Sequence, residues 1–361
     1  MENVLVIGKG VSGISAAKLL KEKGFIVHIM NTAENLPDIN FSFAVLSPGI
    51  SIRLPFVTEI KKKMEVIAEV ELSFRYAKCK IIGVTGTNGK SSLVTYLGHM
   101  MSARVCGNIG IPACDVLPYL EADQWAIVEL SSFQLQLMNS KKLDCALLLK
   151  VTDNHLDMHV DFDEYYQAKL SIKNLLKDDG LYLLEREGDF SPMKYFFGPV
   201  AQMIQKVHEK FGGSLEKADE EFTPLPHRLE FVAEKNGVIF IDDSKATNPA
   251  ATAYAVENVK GPIVLIVGGS NKNSNFSVWN ALFKTKVKAV ICYGESAEAI
   301  KKALQSNFDL YTVHKMEEAV SIAVSLATCG DTVLLSPGCA SFDQFSGFAE
   351  RGVAFKREVL G

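Results

Sequence analysis

The stretch Gly83-Val84-Thr85-Gly86-Thr87-Asn88-Gly89-Lys90-Ser91-Ser92 decides how this chain is read. Ahead of it, Lys80-Ile81-Ile82 belongs to a short apolar run suited to a buried strand. After it, Leu93, Val94, Leu97, Met100 and Met101 recur at helical spacing. Glycines at 83, 86 and 89 let the backbone turn tightly and aim N–H groups at an anion. The new helix adds the positive end of its dipole. In that frame Lys90 reaches the terminal phosphates of a nucleotide, and Ser91 offers a hydroxyl to Mg²⁺. The spacing is a variant: the general pattern has glycine where Val84 stands, and Gly83 lies one place further back. The plainer alternative is a glycine-rich turn that binds nothing; strand, glycines, Lys-Ser and helix together argue against it.

With 361 residues the chain has room for two or three domains. Hydrophobic residues make up 48% and charged residues 22%, which supplies packed cores and gives no disordered signature. A net charge of −4 speaks against a basic surface for nucleic acid. No apolar run approaches a membrane span, and Met1-Glu2-Asn3-Val4 enters a strand without the basic start of a secretory signal. Cysteines at 79, 106, 114, 145, 292, 329 and 339 are odd in number and form no CxxC pair. Reduced, buried thiols are expected rather than disulfides or zinc. The expectation is a soluble cytoplasmic protein with no nucleic-acid partner and no membrane insertion.

Strands are expected at 4–7, 25–30 and 43–46, with a helix at 12–23 and a charged helical segment at 59–76. Further strands are read at 125–130 and 145–151, and a helix at 163–176. A less regular stretch runs from 177 to Pro224-Leu225-Pro226, whose prolines mark a boundary. The last third carries strands at 238–241, 263–267, 289–293, 310–313 and 332–335, with a helix at 315–327. Strands alternating with helices predict parallel α/β sheets, and three such blocks predict three α/β domains.

Other constellations are less decided. Gly8-Lys9-Gly10-Val11-Ser12-Gly13 fits a dinucleotide fingerprint, yet Met30-Asn31-Thr32 stands where an acidic residue normally holds a ribose. NAD, another phosphate-bearing ligand such as a nucleotide-sugar diphosphate, and a purely structural turn all remain open. Glu129 ends a strand, where it is either a Mg²⁺ ligand or a surface glutamate. His155, between Asp153 and Asp157, is equally a functional or a structural histidine, and Lys169 by itself reads as an exposed helix lysine. The clusters 242–249 and 336–345 each follow an apolar strand, and are either helix caps or the two sides of a substrate crevice.

Together these strings resemble the ATP-dependent Mur ligases of bacterial cell-wall synthesis, in the branch that adds D-glutamate. The resemblance covers the whole chain. It rests on the variant loop, GNIG (107–110), ELSSFQL (129–135), PHRLE (226–230), DDSKATNP (242–249), Gly268-Gly269 with Lys272, and SPGCASFDQF with ERG (336–352). It implies a Rossmann-like UDP-sugar domain at 1–77 and a central P-loop ATPase-type parallel-sheet domain at 78–225, shortened. A C-terminal Rossmann-like domain follows at 226–361. The implied activity joins D-glutamate to UDP-N-acetylmuramoyl-L-alanine through an acyl phosphate, in a monomer using ATP and two Mg²⁺ ions.

The resemblance also implies roles. Gly86, Thr87, Asn88, Gly89, Lys90, Ser91 and Ser92 would cradle ATP, with Arg228, Asp243 and Lys245 adding contacts. Val11, Ser12, Asn31, Thr32, Ser47, Pro48 and Gly49 would hold the uridine diphosphate, and Asn108, Ser132 and Gln134 the muramoyl path. Ser91 and Glu129 would bind one metal ion and His155 a second, supported by Lys169 as a carbamate. Lys90, His155 and Lys169 would be the catalytic group, and Thr247, Lys272, Ser341 and Phe342 would position D-glutamate. Departures from the family pattern are Asn154, Asn275, Gly338 and the short region 180–225, in which the adenine-contacting asparagine is not recognisable. One rival, a folate-directed glutamate ligase, lacks the glycine-rich opening domain. The other, a non-catalytic nucleotide-sugar sensor, is opposed by intact Lys90, Glu129, His155 and Lys169.

Overall fold

Apolar runs that end in glycine-bearing turns become the inner strands of three sheets. The computed structural model describes all residues except 32–35, 38, 153–158, 186–195, 197, 224, 271–273 and 305–307. Contacts divide the chain into two compact units, Met1–Phe222 and Thr223–Gly361. No helix among the described residues is long and apolar enough to cross a membrane.

The first unit holds two parallel sheets. One contains β1 (Asn3–Ile7), β2 (Ile26–Met30), β3 (Phe43–Leu46) and β4 (Glu65–Ala68), in the order β2-β1-β3-β4. The other contains β5 (Lys80–Thr85), β6 (Arg104–Gly107), β7 (Trp125–Glu129), β8 (Leu143–Leu148) and β9 (Leu176–Leu184), in the order β6-β7-β5-β8-β9. Inner strands of a parallel sheet are covered on both faces, so they read as unbroken apolar runs. Val4 to Ile7 and Ile81 to Thr85 are accordingly all buried.

The order of the second sheet places β5 between β7 and β8, where the chain switches sides. Ligands of such sheets bind beyond the carboxyl ends of the strands at that point. Helices cover both faces. Leu93, Val94, Tyr96 and Leu97 from the helix Lys90–Met101 pack on one face with Met203, Ile204, Val207 and Phe222. Those last four come from, or directly follow, the helices Gly198–Phe211 and Leu215–Glu221, which complete the core within the short region.

The second unit holds β10 (Glu230–Lys235), β11 (Val238–Asp242), β12 (Ile263–Gly268), β13 (Val287–Tyr293), β14 (Asp309–Val313) and β15 (Thr332–Gly338). Their order is β10-β11-β15-β12-β13-β14, with only β10 antiparallel to its neighbour. β15 lies at the centre, fully buried, so its end and those of β11 and β12 come together.

Several expected elements differ. The segment 59–76 is a helix Pro55–Lys63, then β4, then a helix Glu69–Tyr76. Val66-Ile67 pairs beside β3, and that tertiary pairing overrides the helical spacing around it. The helix expected at 163–176 is Phe162–Leu170 followed by a 3₁₀ turn, Ser171–Leu175, and residues 176–184 form β9. Beyond it lie the two helices named above rather than irregular chain.

Candidate active site

At the end of β5 the chain turns through Gly86 (φ +146°) and Gly89 (φ +80°) into the helix Lys90–Met101. Gly86 has a second constraint: a Cβ there would stand 2.5 Å from Leu149 Cβ. Lys90 Nζ donates to the carbonyls of Gly86 at 3.0 Å and Thr87 at 2.8 Å, folding over the loop it serves. The Thr87 hydroxyl lies 3.1 Å from Tyr165 Oη and accepts from Thr152 N–H at 3.0 Å, which pins the loop against the end of β8.

Ser91 Oγ donates to Glu129 Oε2 at 2.8 Å, and Asn108 Nδ2 donates to Oε1 at 3.0 Å. Glu129 is buried, so the structure removes the surface-glutamate alternative. Gly107, at φ +103°, makes the approach of Asn108 possible, since a Cβ there would meet Glu129 O at 2.4 Å. A hydroxyl beside a buried carboxylate at the mouth of a phosphate loop is an oxygen donor set suited to Mg²⁺. His155 lies outside the described residues.

Lys169 is only 2% exposed, which overturns its reading as a surface lysine. Its Nζ sits 3.5 Å from Thr85 Oγ1 and 4.8 Å from the Tyr165 ring centre, and no carboxylate among the described residues hydrogen-bonds to it. Burial, reinforced by the Lys90 charge, pushes its pKa well below the ordinary lysine value against the pull of Glu129. The shift favours the neutral amine beside the phosphate loop. Tyr165, one turn earlier on the same helix face, was not singled out by sequence; its spacing from Lys169 was the available signal.

Ser132 is buried, its Oγ 3.0 Å from His159 Nε2, and His159 stacks on Phe133 at 15° and 5.2 Å. Gln134 Oε1 accepts from Ser131 N–H at 2.9 Å, so this side chain caps the helix Ser132–Leu135. Sequence reasoning missed His159, which is four residues beyond His155.

In the first sheet, the glycine loop after β1 packs against the end of β3. A Cβ on Gly13 would stand 2.0 Å from Gly8 O, and one on Gly8 would stand 2.5 Å from Ser47 Oγ. These are the close approaches the fingerprint glycines exist for. Ser47 Oγ is buried and has no hydrogen-bond partner among the described residues, a polar atom facing the loop. Val11, Asn31 and Gly49 are exposed around it, with Ser12 and Pro48 half-buried. Thr32 lies outside the described residues.

In the second unit, Asp243 accepts from Ser336 Oγ at 2.7 Å and from Leu229 N–H at 3.2 Å. Burial pushes its pKa up to about 7 despite those bonds. Arg228 stands between His227 (φ +63°) and Leu229 (φ +44°), two left-handed residues that sequence gave no reason to expect. Lys245 Nζ lies over the Phe348 ring at 3.7 Å. The guanidinium of Arg351, fully buried, donates to Ser244 Oγ (2.9 Å), Ser244 O (2.8 Å), Cys339 O (3.1 Å) and Tyr293 Oη (3.4 Å). It thereby braces both strand-end clusters. Thr247 and Phe342 are exposed, Ser341 is buried, and Lys272 lies outside the described residues.

Two other features are not this site. His227, Glu230 and Asp242 group their ligand atoms within 4.8 Å, but Lys356 Nζ already stands 2.6 Å from Glu230 and 3.8 Å from Asp242. A surface cavity of about 590 Å³, bounded by His99, Arg104, Trp125 and Lys217, lies at the far end of the phosphate-loop helix.

Comparison with known proteins adds the following. Residues 84–197 match the Mur ligase middle domain, and residues 227–339 match the Mur ligase glutamate ligase domain. A UDP-N-acetylmuramoylalanine–D-glutamate ligase of Chlamydia felis is 34% identical over 417 positions, covering 99% of this chain and 97% of the relative. The enzyme of that name from Caldicellulosiruptor saccharolyticus is 31% identical, covering 99% and 98%. Among solved structures, the MurF ligase of Thermotoga maritima in complex with ADP superposes with a TM-score of 0.59 at 16% identity, covering 88% of this chain and 95% of that one. A pseudomurein peptide ligase of Methanothermus fervidus gives 0.59 at 16% identity, covering 99% and 100%.

Proposed function

The chain belongs to the Mur ligase family, and from that membership we infer that it joins D-glutamate to UDP-N-acetylmuramoyl-L-alanine in peptidoglycan synthesis, at the expense of ATP. The observation that carries this reading is the grouping of Lys90, Ser91, Glu129 and Lys169 at the strand ends of a phosphate-loop sheet. It occurs in a chain that aligns over nearly its whole length with relatives of that name.

The chemistry then follows from position. ATP's γ-phosphoryl group passes to the acceptor carboxylate: a carboxylate oxygen–phosphorus bond forms and the bond to the β-phosphate oxygen breaks. The D-glutamate amine attacks the activated carbonyl, loses a proton, and inorganic phosphate leaves as the amide forms. No protein nucleophile is needed; positioning and charge neutralisation do the work. Lys90 would exchange its loop carbonyls for the phosphates, and the N–H groups of residues 86–92 would hold them. Ser91 and Glu129 would hold one Mg²⁺, and His155 with a carbamate on Lys169 a second. When bound, the ions supply neutralisation of phosphate charge.

Residues 11, 12, 31, 32 and 47–49 would receive the uridine diphosphate, and Asn108, Ser132 and Gln134 the muramoyl path. Arg228, Asp243 and Lys245 would add ATP contacts; Thr247, Lys272, Ser341 and Phe342 would receive D-glutamate. We place the domain limits at 1–77, 78–225 and 226–361, and the protein in the cytoplasm, where ATP and UDP-linked precursors are made.

The deciding experiment measures ATP-dependent phosphate release with UDP-N-acetylmuramoyl-L-alanine, against D-glutamate, L-glutamate and other amino acids. Release with D-glutamate alone is expected. Tight acceptor binding without release would instead identify a nucleotide-sugar sensor.

A further inference from the structure

The helix Phe162–Leu170 opens with a carboxylate that gathers partners from separate stretches of chain. Glu164 accepts from the Arg53 guanidinium, from Gln136 Nε2 at 3.2 Å and from Val160 N–H at 2.7 Å. His159 Nδ1 lies 3.6 Å from the same carboxylate, and its Nε2 reaches Ser132 at 3.0 Å. Arg53 follows the 47–49 turn by four residues, while Ser132 and Gln136 bracket the short helix after β7. Further along, the same helix offers Tyr165 to Thr87 and Lys169 to Thr85.

We propose that Glu164 is a positioning residue for the acceptor. It ties the turn at 47–53 and the turn at 132–136 to the helix carrying Lys169, and so sets the acceptor carboxylate at a fixed reach from the phosphate loop. This rests on the reading above that those two turns hold the UDP-linked acceptor. Although burial works to raise its pKa, the Val160 N–H and the Arg53 charge hold Glu164 below the usual carboxylate range, so the tie stays ionised at neutral pH. The Arg53 and Glu164 side chains are 38% and 31% exposed, and pairs this exposed add little to global stability. Its loss is therefore felt in where the turns sit rather than in whether the protein folds.

Steady-state phosphate release tests this with Glu164→Gln, Arg53→Ala and the double variant. The neutral isostere keeps an acceptor for Val160 and is expected to raise the acceptor KM about five-fold, while kcat and the KM values for ATP and D-glutamate stay within about two-fold. Arg53→Ala should move the acceptor KM in the same direction, and the double variant should be no worse than Glu164→Gln, since both remove one tie. An acceptor KM unmoved in folded Glu164→Gln overturns the proposal. So does a common change in every constant, or single effects that multiply in the double variant. Should Glu164→Gln fail to fold, Arg53→Ala at its half-exposed site decides by the same split. Wild-type protein inert toward this acceptor would overturn the functional reading and this inference with it; active wild type with an unmoved acceptor KM overturns the inference alone.

Discussion

Lys169 faces a hard demand, because an ammonium stripped of water costs several kcal/mol unless it is paired. Among the described residues it meets a hydroxyl and an aromatic face but no hydrogen-bonded carboxylate, and burial shifts it toward the neutral amine. A neutral amine is the form that adds CO₂, and the resulting anion is the form that supports a metal ion. Lys169→Ala is therefore expected to lower kcat by at least about 100-fold, with short carboxylic acids restoring part of it. Full activity in that variant would remove the carbamate from the mechanism. Little of this was legible locally: Tyr165-Tyr166-Gln167-Ala168-Lys169-Leu170 has the look of an ordinary helix, and the burial comes from β5 and the phosphate loop far away in sequence. Glu129 was more legible, because an acidic residue that ends an apolar strand has few places to go.

Among the elements, the inner strands and the edge strands β2 and β14 were readable, whereas the edge strands β4, β6, β9 and β10 were not. The stretches Val4–Ile7 of β1, Ile81–Val84 of β5, Ile263–Gly268 of β12 and Val333–Leu335 of β15 are apolar because both faces are covered. β9 carries Lys177-Asp178-Asp179-Gly180 and β10 carries Glu234 and Lys235; one neighbour and partial solvation permit such residues, so neither run stands out as a strand. The helices at 198–221 were hidden for another reason: their apolar residues matter only as the lid of the core formed by Leu93, Tyr96 and Leu97. Phe222, 4% exposed and edge-on to Tyr96 at 5.5 Å, ends that lid. Phe222→Ala should cost about 3–4 kcal/mol in urea unfolding of the intact chain. A loss under about 1 kcal/mol would show that the short region does not close the core.

On the scale of the whole chain, length has been lost without losing a layer. The alignment with the Chlamydia felis relative spans 417 positions, whereas this chain has 361 residues. Each sheet nevertheless keeps apolar clusters on both faces. With two compact units divided at Phe222 and Thr223, limited proteolysis should give two resistant fragments whose junction lies near residue 223. Early cleavage inside β5 or β12 would contradict that division. Arg351 has one further consequence. Its hydrogen-bond partners among the described residues are all neutral, two backbone carbonyls and two hydroxyls. A single side chain thus clamps the strand ends at Ser244 and Cys339, so displacing it would loosen both clusters together rather than either one alone.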